Sequence, residues 1–258
     1  MADPPAARDE LDRQAALDAI RCQTPARILV GRAGSSYRTE TLLELRQDHA
    51  AALDAVRVEL DLVRDLGQEL IDRFGLFEVG TRASTKAEYL MRPDLGRTLL
   101  DSARGEIHAR CLHGADLQVA IGDGLSAAAV AAQLPALLPL LESGACERGW
   151  RFGQPFVVRH CRVGVLNDIG EQLEPAVAVL LIGERPGLAT AESLSAYMAY
   201  RPRAGHTDAR RNLVSNIHSR GLAPDDAARR ILELAAAMIS RGESGIALGD
   251  GTPRVNIP

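Results

Sequence analysis

The sequence predicts an α/β protein in which a mainly helical first part precedes a mainly parallel sheet. Six apolar residues, Val177 to Ile182, follow one another without a polar gap, which is typical of a strand buried on both faces. From Leu117 onward, strand patterns alternate with helix patterns, as in the βαβ units of a parallel sheet. We therefore expect a helical N-terminal domain over residues 1–114 and an α/β domain over residues 115–258.

The composition favours a globular protein with a substantial core. The chain has 258 residues, of which 46% are hydrophobic, which is enough for one large or two small domains. A net charge of −4 and an aromatic content of 3% argue against a nucleic-acid partner. No apolar stretch reaches membrane-spanning length in this reading. The cysteines are too far apart for a metal knuckle, and we expect reduced thiols in a cytoplasmic compartment: Cys22, Cys111, Cys146 and Cys161.

The first hundred residues read as helices joined by loops. After a tail of about eight residues we expect a short helix over residues 9–22. A loop of small residues follows at 31–36, with Arg27, Arg32 and Arg38 around it. It could bind an anion, connect two elements in solvent or contact another subunit. Thr41 and Glu44 form a capping-box pattern that opens a helix running to about residue 58.

The rest of the chain supplies the sheet and its helices. Ser126 caps a helix that Pro135 and Pro139 should interrupt. The best helix starts at Pro224 and ends before Gly242. The other expected elements are helices near residues 67–74, 95–111 and 190–197, a short extended piece at 75–80, strands at 117–121, 155–161 and 213–217, and an irregular or helical segment at 163–173.

Two predicted strands end alike, in AIGDG at residues 120–124 and LIGER at residues 181–185. If the strands are parallel, Asp123 and Glu184 lie at the same edge of the sheet, where α/β proteins bind their ligands. A glycine before each carboxylate would let a ligand approach the backbone. Carboxylates accept hydrogen bonds from hydroxyl and amide groups, whereas they repel phosphate. The alternative is an ordinary strand exit with solvated charges.

No catalytic constellation emerges from the residues alone. The segment GDGLS lacks the spacing of a nucleotide-binding loop and of a hydrolase nucleophile elbow. His160 and Cys161 are adjacent on a predicted strand, so their side chains point to opposite faces, and we interpret His160 as structural. Asn216 and His218 are polar contacts at a site or interface, or ordinary loop residues. The pattern favours a binding module over a self-sufficient catalyst.

Seven stretches, in order along the chain, resemble the small subunit of ethanolamine ammonia-lyase. They are GRAGSSYRTETLLELRQDHA (31–50), YLMRPDLGR (89–97), DLQVAIGDGLS (116–126), PFVVRHCRV (155–163), LLIGERPGL (180–188), ESLSAYMAY (192–200) and SNIHSRG (215–221). The resemblance implies a helical N-terminal domain and a Rossmann-like C-terminal domain. It also implies a lyase that converts ethanolamine to acetaldehyde and ammonia with adenosylcobalamin as cofactor.

In this family the cobalamin lies between the small subunit and a large barrel subunit, which carries most substrate contacts. The resemblance implies six large and six small chains, with neither a membrane nor a nucleic acid as partner. We expect a cytoplasmic location, either free or inside a bacterial microcompartment. The short N-terminus departs from relatives that carry a targeting extension.

By position, the resemblance carries cobalamin contacts onto Val163, Glu184 and Leu213, and it assigns this chain neither a catalytic residue nor a protein metal ligand. We add Arg162, Arg185 and Asn216 because they are close in sequence. Leu213 stands where relatives can carry a cysteine, so a contact there would be through backbone or packing. The alternatives are a non-catalytic Rossmann-like binding or scaffold protein and, less favoured because a phosphate loop is missing, a nucleotide-dependent enzyme.

Overall fold

The computed structural model of the protein describes residues 5–22, 28–187 and 189–248. Its α-helices are α1 (Pro5–Cys22), α2 (Thr39–Arg57), α3 (Leu62–Leu66), α4 (Gln68–Phe74), α5 (Lys86–Met91), α6 (Asp101–Arg110), α7 (Ala127–Glu147), α8 (Val165–Leu173) and α9 (Pro224–Arg241). Its strands are β1 (Arg32–Ala33), β2 (Ser36–Tyr37), β3 (Glu78–Gly80), β4 (Leu117–Gly122), β5 (Phe156–Arg159), β6 (Val177–Gly183), β7 (Leu194–Tyr200) and β8 (Asn212–Ile217). The α/β class is therefore confirmed.

Six strands form one mixed sheet in the order β3-β5-β4-β6-β7-β8. The first four are parallel to one another, as the sequence predicts, whereas β7 and β8 are antiparallel additions. The sheet includes β3, which precedes residue 115, so the two predicted domains share one sheet at this point. The boundary between residues 114 and 115 stays a prediction.

Helices cover the parallel strands on both faces. One buried cluster joins α7 and α9 to side chains of β4 and β6 such as Val119 and Val179. A second cluster, on the opposite face, joins α6 and α8 to Ala120 and Leu180. Because successive side chains of a strand alternate between faces, β4 and β6 are buried along their whole length. This explains the uninterrupted apolar run that dominates the sequence.

The prediction of a helix over residues 190–197 is wrong. Leu194–Tyr200 forms β7, which pairs with β6 on one side and β8 on the other. Leu194, Ala196 and Met198 enter the core, while Ser195 and Tyr197 face the other way. This alternation has the period of a strand, and two neighbouring strands satisfy the backbone, so tertiary pairing overrides local helix preference.

The helix α7 is continuous through Pro135 and Pro139, although the sequence predicts an interruption there. Pro135 is exposed and Pro139 partly buried, so water can bind carbonyl groups that lose their helical partners. Among the described residues, α7 is also long and apolar enough to cross a membrane, which corrects the expectation that no stretch reaches that length. Ten of its residues are buried in the core, so the same composition serves packing here.

The N-terminal region has little core of its own. The small-residue loop is the hairpin β1–β2, and α2 begins at Thr39 after Arg38, not at a Thr41 cap. No residue of α2 is buried. Helix α1 begins at Pro5, inside the expected N-terminal tail, whereas Arg27 lies outside the described residues.

Candidate functional site

Two carboxylates follow the carboxyl ends of two adjacent parallel strands. Gly122 of β4 pairs with Ile182 of β6, so the residues that follow, Asp123 and Glu184, leave the sheet at the same edge. This confirms the predicted placement. Their environments differ, however, because Asp123 is 1% exposed whereas Glu184 is only partly buried and lines a cleft.

The glycines at these strand ends pack against the protein itself. A Cβ on Gly183 would lie 2.0 Å from the carbonyl oxygen of Ser126, and a Cβ on Gly122 would lie 2.3 Å from the Sγ of Cys161. The tight packing gives these glycines a structural role, and the access of a ligand to their backbone stays a prediction, although Gly183 lines the cleft described next. They permit a close approach between each strand and a neighbouring loop.

A cleft of about 470 Å³ opens beside Glu184, and we call it the sheet-face cleft. It contains five of the six site residues predicted from the sequence: Arg162, Val163, Glu184, Arg185 and Leu213. Its other lining residues include Tyr89, Leu125, Ile182, Ser195, Tyr197 and Ser215, none of which the sequence singled out. The cleft is therefore apolar in its centre and polar at its rim.

The cleft exists because the edge strand β8 is covered on one face only, and Tyr197 of β7 is left partly exposed beside it. Ala196 and Val214, which are partners across the two strands, pack into the core beside α9. Tyr197 and Leu213 are also partners, and they face the opposite way into the cleft, where Leu213 is 48% exposed. Antiparallel strands can leave one face open in this manner, whereas the parallel strands beside them are covered twice.

The carboxylate of Glu184 is held by three donors of the protein. Its Oε1 accepts hydrogen bonds from the Ser195 hydroxyl at 2.6 Å and from the Asn216 backbone N–H at 3.0 Å. Its Oε2 accepts one from the Ser193 hydroxyl at 2.8 Å. A carboxylate has about four acceptor positions, so roughly one remains for a ligand. Glu184 is thus a fixed acceptor that also ties β6, β7 and β8 together.

Arg162 is fixed on the other side of the cleft. Its guanidinium lies 4.1 Å from the centre of the Tyr89 ring, and Nη2 donates to the Tyr89 carbonyl at 2.9 Å. Its Nε is buried and has no hydrogen-bond partner among the described residues. The arrangement leaves a cation with spare donor capacity at the rim of an apolar cleft.

Asn216 does not line the sheet-face cleft. It borders a neighbouring groove of about 800 Å³, which shares Glu184 and Arg185 with the cleft and is closed by residues of β2 and α2. Its side-chain Oδ1 contacts Nε2 of His218 at 2.9 Å, and its φ of 63° lies in the left-handed region. Asn216 therefore acts on the cleft through its backbone contact with Glu184.

Asp123 belongs to a buried polar cluster beside the cleft. The Asp123 carboxylate accepts the backbone N–H groups of His160 at 3.0 Å and Cys161 at 3.3 Å. The Lys86 ammonium lies 4.0 Å from this carboxylate and donates to the carbonyl of Gly124 at 2.9 Å. Burial lowers the pKa of Lys86, and the nearby Asp123 opposes that shift. The cluster fixes the loops that carry Leu125 and Arg162 to the cleft.

The structure also explains two residues of the cluster. His160 is 6% exposed, has a φ of 52°, and its Nδ1 contacts the carbonyl of Ala83 at 3.1 Å, which confirms the structural role predicted for it. Sequence reasoning missed the role of Lys86, although one signal was available. Lys86 is the only lysine among 30 basic Lys and Arg residues, and lysine differs from arginine in its compact charge.

The chemistry of the cleft is that of binding. The pKa of Tyr197 is raised by burial and by the Glu184 carboxylate, so its phenol remains a hydrogen-bond donor at neutral pH. In the described ranges no group of three or more histidine, cysteine, aspartate or glutamate side chains could hold a metal ion. The arrangement suits a flat apolar ligand that carries amide or hydroxyl groups at its edge.

Comparison with known proteins identifies similar chains. The family model described as ethanolamine ammonia-lyase light chain matches residues 14–249. The ethanolamine ammonia-lyase small subunit of Clostridium acetobutylicum is 40% identical over 232 residues, which cover 90% of this chain and 93% of the relative. The small subunits of Clostridioides difficile and Listeria monocytogenes are each 42% identical, covering 92% and 89% of this chain and 78% and 76% of the relatives.

Proposed function

The chain belongs to the ethanolamine ammonia-lyase light-chain family, and from this membership we propose that it is the small subunit of an adenosylcobalamin-dependent enzyme that converts ethanolamine to acetaldehyde and ammonia. One structural observation carries the proposal. The sheet-face cleft gathers Val163, Glu184 and Leu213, which the family resemblance assigns to cofactor binding, from β6, β8 and the loop before α8. Residues that lie 50 positions apart in sequence thus line one surface.

The lining of the cleft fits a corrinoid. A corrin is a flat macrocycle whose edge carries amide arms, so it needs an apolar wall and fixed polar groups at the rim. Val163, Tyr197 and Leu213 supply the wall, and the remaining acceptor position of Glu184 suits an amide N–H. The buried Nε of Arg162, which lacks a partner among the described residues, adds donor capacity for an amide carbonyl. When bound, adenosylcobalamin supplies the radical through homolysis of its cobalt–carbon bond.

The six predicted site residues take different roles in this proposal. Val163 and Leu213 pack against the cofactor, while Glu184 accepts a hydrogen bond from it. Arg162 and Arg185 form the polar rim, and Asn216 positions Glu184 through its backbone N–H. No residue of this chain is assigned a catalytic role.

A large subunit must complete the site. The cleft is a groove open along one side, and Leu213 is still 48% exposed within it. We propose that the large barrel subunit closes this side, binds ethanolamine and carries the substrate chemistry, in an assembly of six large and six small chains. The proposed setting is the cytoplasm, either free or within a bacterial microcompartment, which cell fractionation would test.

Reconstitution tests the proposal directly. The small chain, the large subunit and adenosylcobalamin are mixed in all combinations, and acetaldehyde and ammonia are measured. We expect deamination only with all three components. The alternative, a non-catalytic binding or scaffold protein, predicts that the large subunit is equally active without this chain. Full activity of this chain with the cofactor alone would refute the division of labour.

A further inference from the structure

A second cleft, which we call the arginine cleft, adjoins the sheet-face cleft. It has a volume of about 470 Å³, and two of its lining residues, Gly164 and Arg211, lie one residue after Val163 and two residues before Leu213 of the sheet-face cleft. Its lining comes from the turn before α6, the first turn of α8 and the loop between β7 and β8, with Arg97, Asn167, Asp168, His206, Asp208 and Arg211. The second cleft therefore extends the same surface away from Glu184.

The arginine cleft has spare positive charge. Arg97 is exposed and forms no ion pair with a described residue. The carboxylate of Asp168 is already bound by the Leu99 backbone N–H at 2.8 Å and by Arg104 at 2.9 Å. The remaining carboxylate, Asp208, is paired with Arg211. Both contacts of Asp168 are made by Oδ2, and neither acid forms an ion pair with Arg97.

Two buried nitrogen atoms of this cleft lack a partner. The Arg211 side chain is 6% exposed, and although its Nη2 donates to the Asn167 Oδ1 at 3.1 Å, its Nε has no hydrogen-bond partner among the described residues. Nδ1 of His206 is also buried and has no hydrogen-bond partner among the described residues. Leaving buried donors unsatisfied is unfavourable by about 1–3 kcal/mol each, so such atoms commonly mark a place that a ligand completes.

The electrostatic surroundings point the same way. The pKa of His206 is lowered, first by burial and then by the charges of Arg203, Arg210 and Arg211. Cations thus reach His206 from both ends of the loop between β7 and β8. The arginine charges favour an anion at this place, whereas burial by itself disfavours a charge of either sign.

We propose that the arginine cleft binds a phosphate group, with Arg97 and Arg211 as its main cationic contacts. The inference rests on the proposed function, because cobalamin carries one phosphodiester, in the nucleotide loop that extends from its corrin ring. An apolar cleft next to a cationic one matches a ligand with an apolar plate and one anionic arm. A free phosphate ion has the same chemistry and is the alternative source.

The first experiment compares two corrinoids. Equilibrium binding of cyanocobalamin and of dicyanocobinamide, which lacks the nucleotide loop, is measured by absorbance with the complex of both subunits. We expect Arg97→Gln to weaken cyanocobalamin binding by about threefold to tenfold and to leave cobinamide binding unchanged. Arg97 is chosen because its exposed side chain leaves the fold intact. The matched control is Arg229→Gln, an exposed arginine on α9 that pairs with Asp226.

The second experiment uses inorganic phosphate with the full chain alone. The pKa of His206 is followed by NMR, with its resonance assigned by His206→Gln. We expect phosphate to raise this pKa in the wild type and not in Arg97→Gln. If phosphate raises the His206 pKa but Arg97→Gln does not selectively weaken cyanocobalamin binding, the result supports a phosphate site that takes a free ion.

The outcomes separate this inference from the proposed function. If the complex binds neither corrinoid, the proposed function fails, and the phosphate titration still decides the inference. If both corrinoids bind equally well to wild type and Arg97→Gln, and phosphate leaves the His206 pKa unchanged, the arginine cleft is not a phosphate site. An equal loss of both corrinoids in Arg97→Gln, together with an unchanged His206 pKa, would also overturn it.

Discussion

Two neighbouring strand exits share one sequence pattern and yet have different roles. Asp123 follows Gly122 and is buried against backbone N–H groups and Lys86, whereas Glu184 follows Gly183 and borders two open grooves. The difference comes from what lies beyond each strand. The loop after β5 and the helix α5 cover the exit of β4, while β7 and β8 leave the exit of β6 open on one face. Whether a carboxylate at a sheet edge is structural or functional therefore depends on whether other segments of the chain bury it.

The largest effect is expected from removing the buried carboxylate. Asp123→Ala leaves the Lys86 charge and two backbone N–H groups without their acceptor, and we expect a loss of about 3–5 kcal/mol in the free energy of unfolding. Urea denaturation of the chain measures it. The matched Glu184→Ala should lose no more than about 1.5 kcal/mol, because the freed hydroxyls face an open cleft and can bind water.

A double variant sharpens this first contrast. Lys86→Met removes the charge that Asp123→Ala leaves uncompensated, so the double variant should be more stable than Asp123→Ala alone. Similar losses for Asp123→Ala and Glu184→Ala would mean that the depth of burial does not distinguish the two exits.

The burial of Lys86 at the exit of β4 should also make the free energy of unfolding depend on pH. Burial lowers the pKa of Lys86 below its ordinary value of 10.5 in the folded chain. Between the folded-state pKa and 10.5 the unfolded chain binds more protons, so the free energy of unfolding rises with pH in this window, by at most about 1.4 kcal/mol per unit. Burial raises the pKa of the Cys111 and Cys161 thiols, which contributes a slope of the opposite sign in the alkaline range. Urea denaturation at several alkaline pH values should therefore give a slope that is more positive in the wild type than in Lys86→Met.

A substitution of Glu184, at the open exit of β6, should instead change the cofactor requirement. We expect Glu184→Ala to raise the adenosylcobalamin concentration for half-maximal activity about tenfold, which corresponds to one charge-assisted hydrogen bond. Activity of the reconstituted complex at varied cofactor concentration measures this. Glu233→Ala, an exposed glutamate on α9, is the control. An unchanged cofactor requirement would count against Glu184 as a contact.

The smallest effect is expected from a residue that only positions Glu184. Ser195→Ala removes one of the two donors to Oε1 and keeps the carboxylate, so the cofactor requirement should rise by about threefold. In the Glu184→Ala background the same substitution should have no further effect on the cofactor requirement. An additional loss there would show that Ser195 acts independently of Glu184.

Local patterns in the sequence predicted much of the fold. The apolar run of β6, the cap at Ser126 and the Pro224-to-Gly242 helix are each specified by adjacent residues, and the structure confirms all three. The parallel order of β4, β5 and β6 followed from the alternation of strands and helices along the chain. The sequence predicts a helix over residues 190–197, because the alternation of their side chains between two faces becomes clear only when the segment is paired with β6 and β8.

Five of the six site residues that the sequence selected, through the strand-end pattern, the family resemblance and closeness in sequence, line the sheet-face cleft. It could not show that Asn216 lies in the next groove, because a left-handed residue redirects the chain there. Nor could it show that three protein donors already hold Glu184, since Ser193 and Ser195 reach it only through the pairing of β6 with β7.

The sequence by itself determined which segments are apolar enough to form a doubly covered sheet and where each strand stops, because burial and chain termination are local properties of composition. Only the tertiary structure decided which of two similar strand ends became a cleft, since that depends on whether distant segments cover it. The added antiparallel strands decided it, because their backbone completes the sheet while one of their faces remains free of helices.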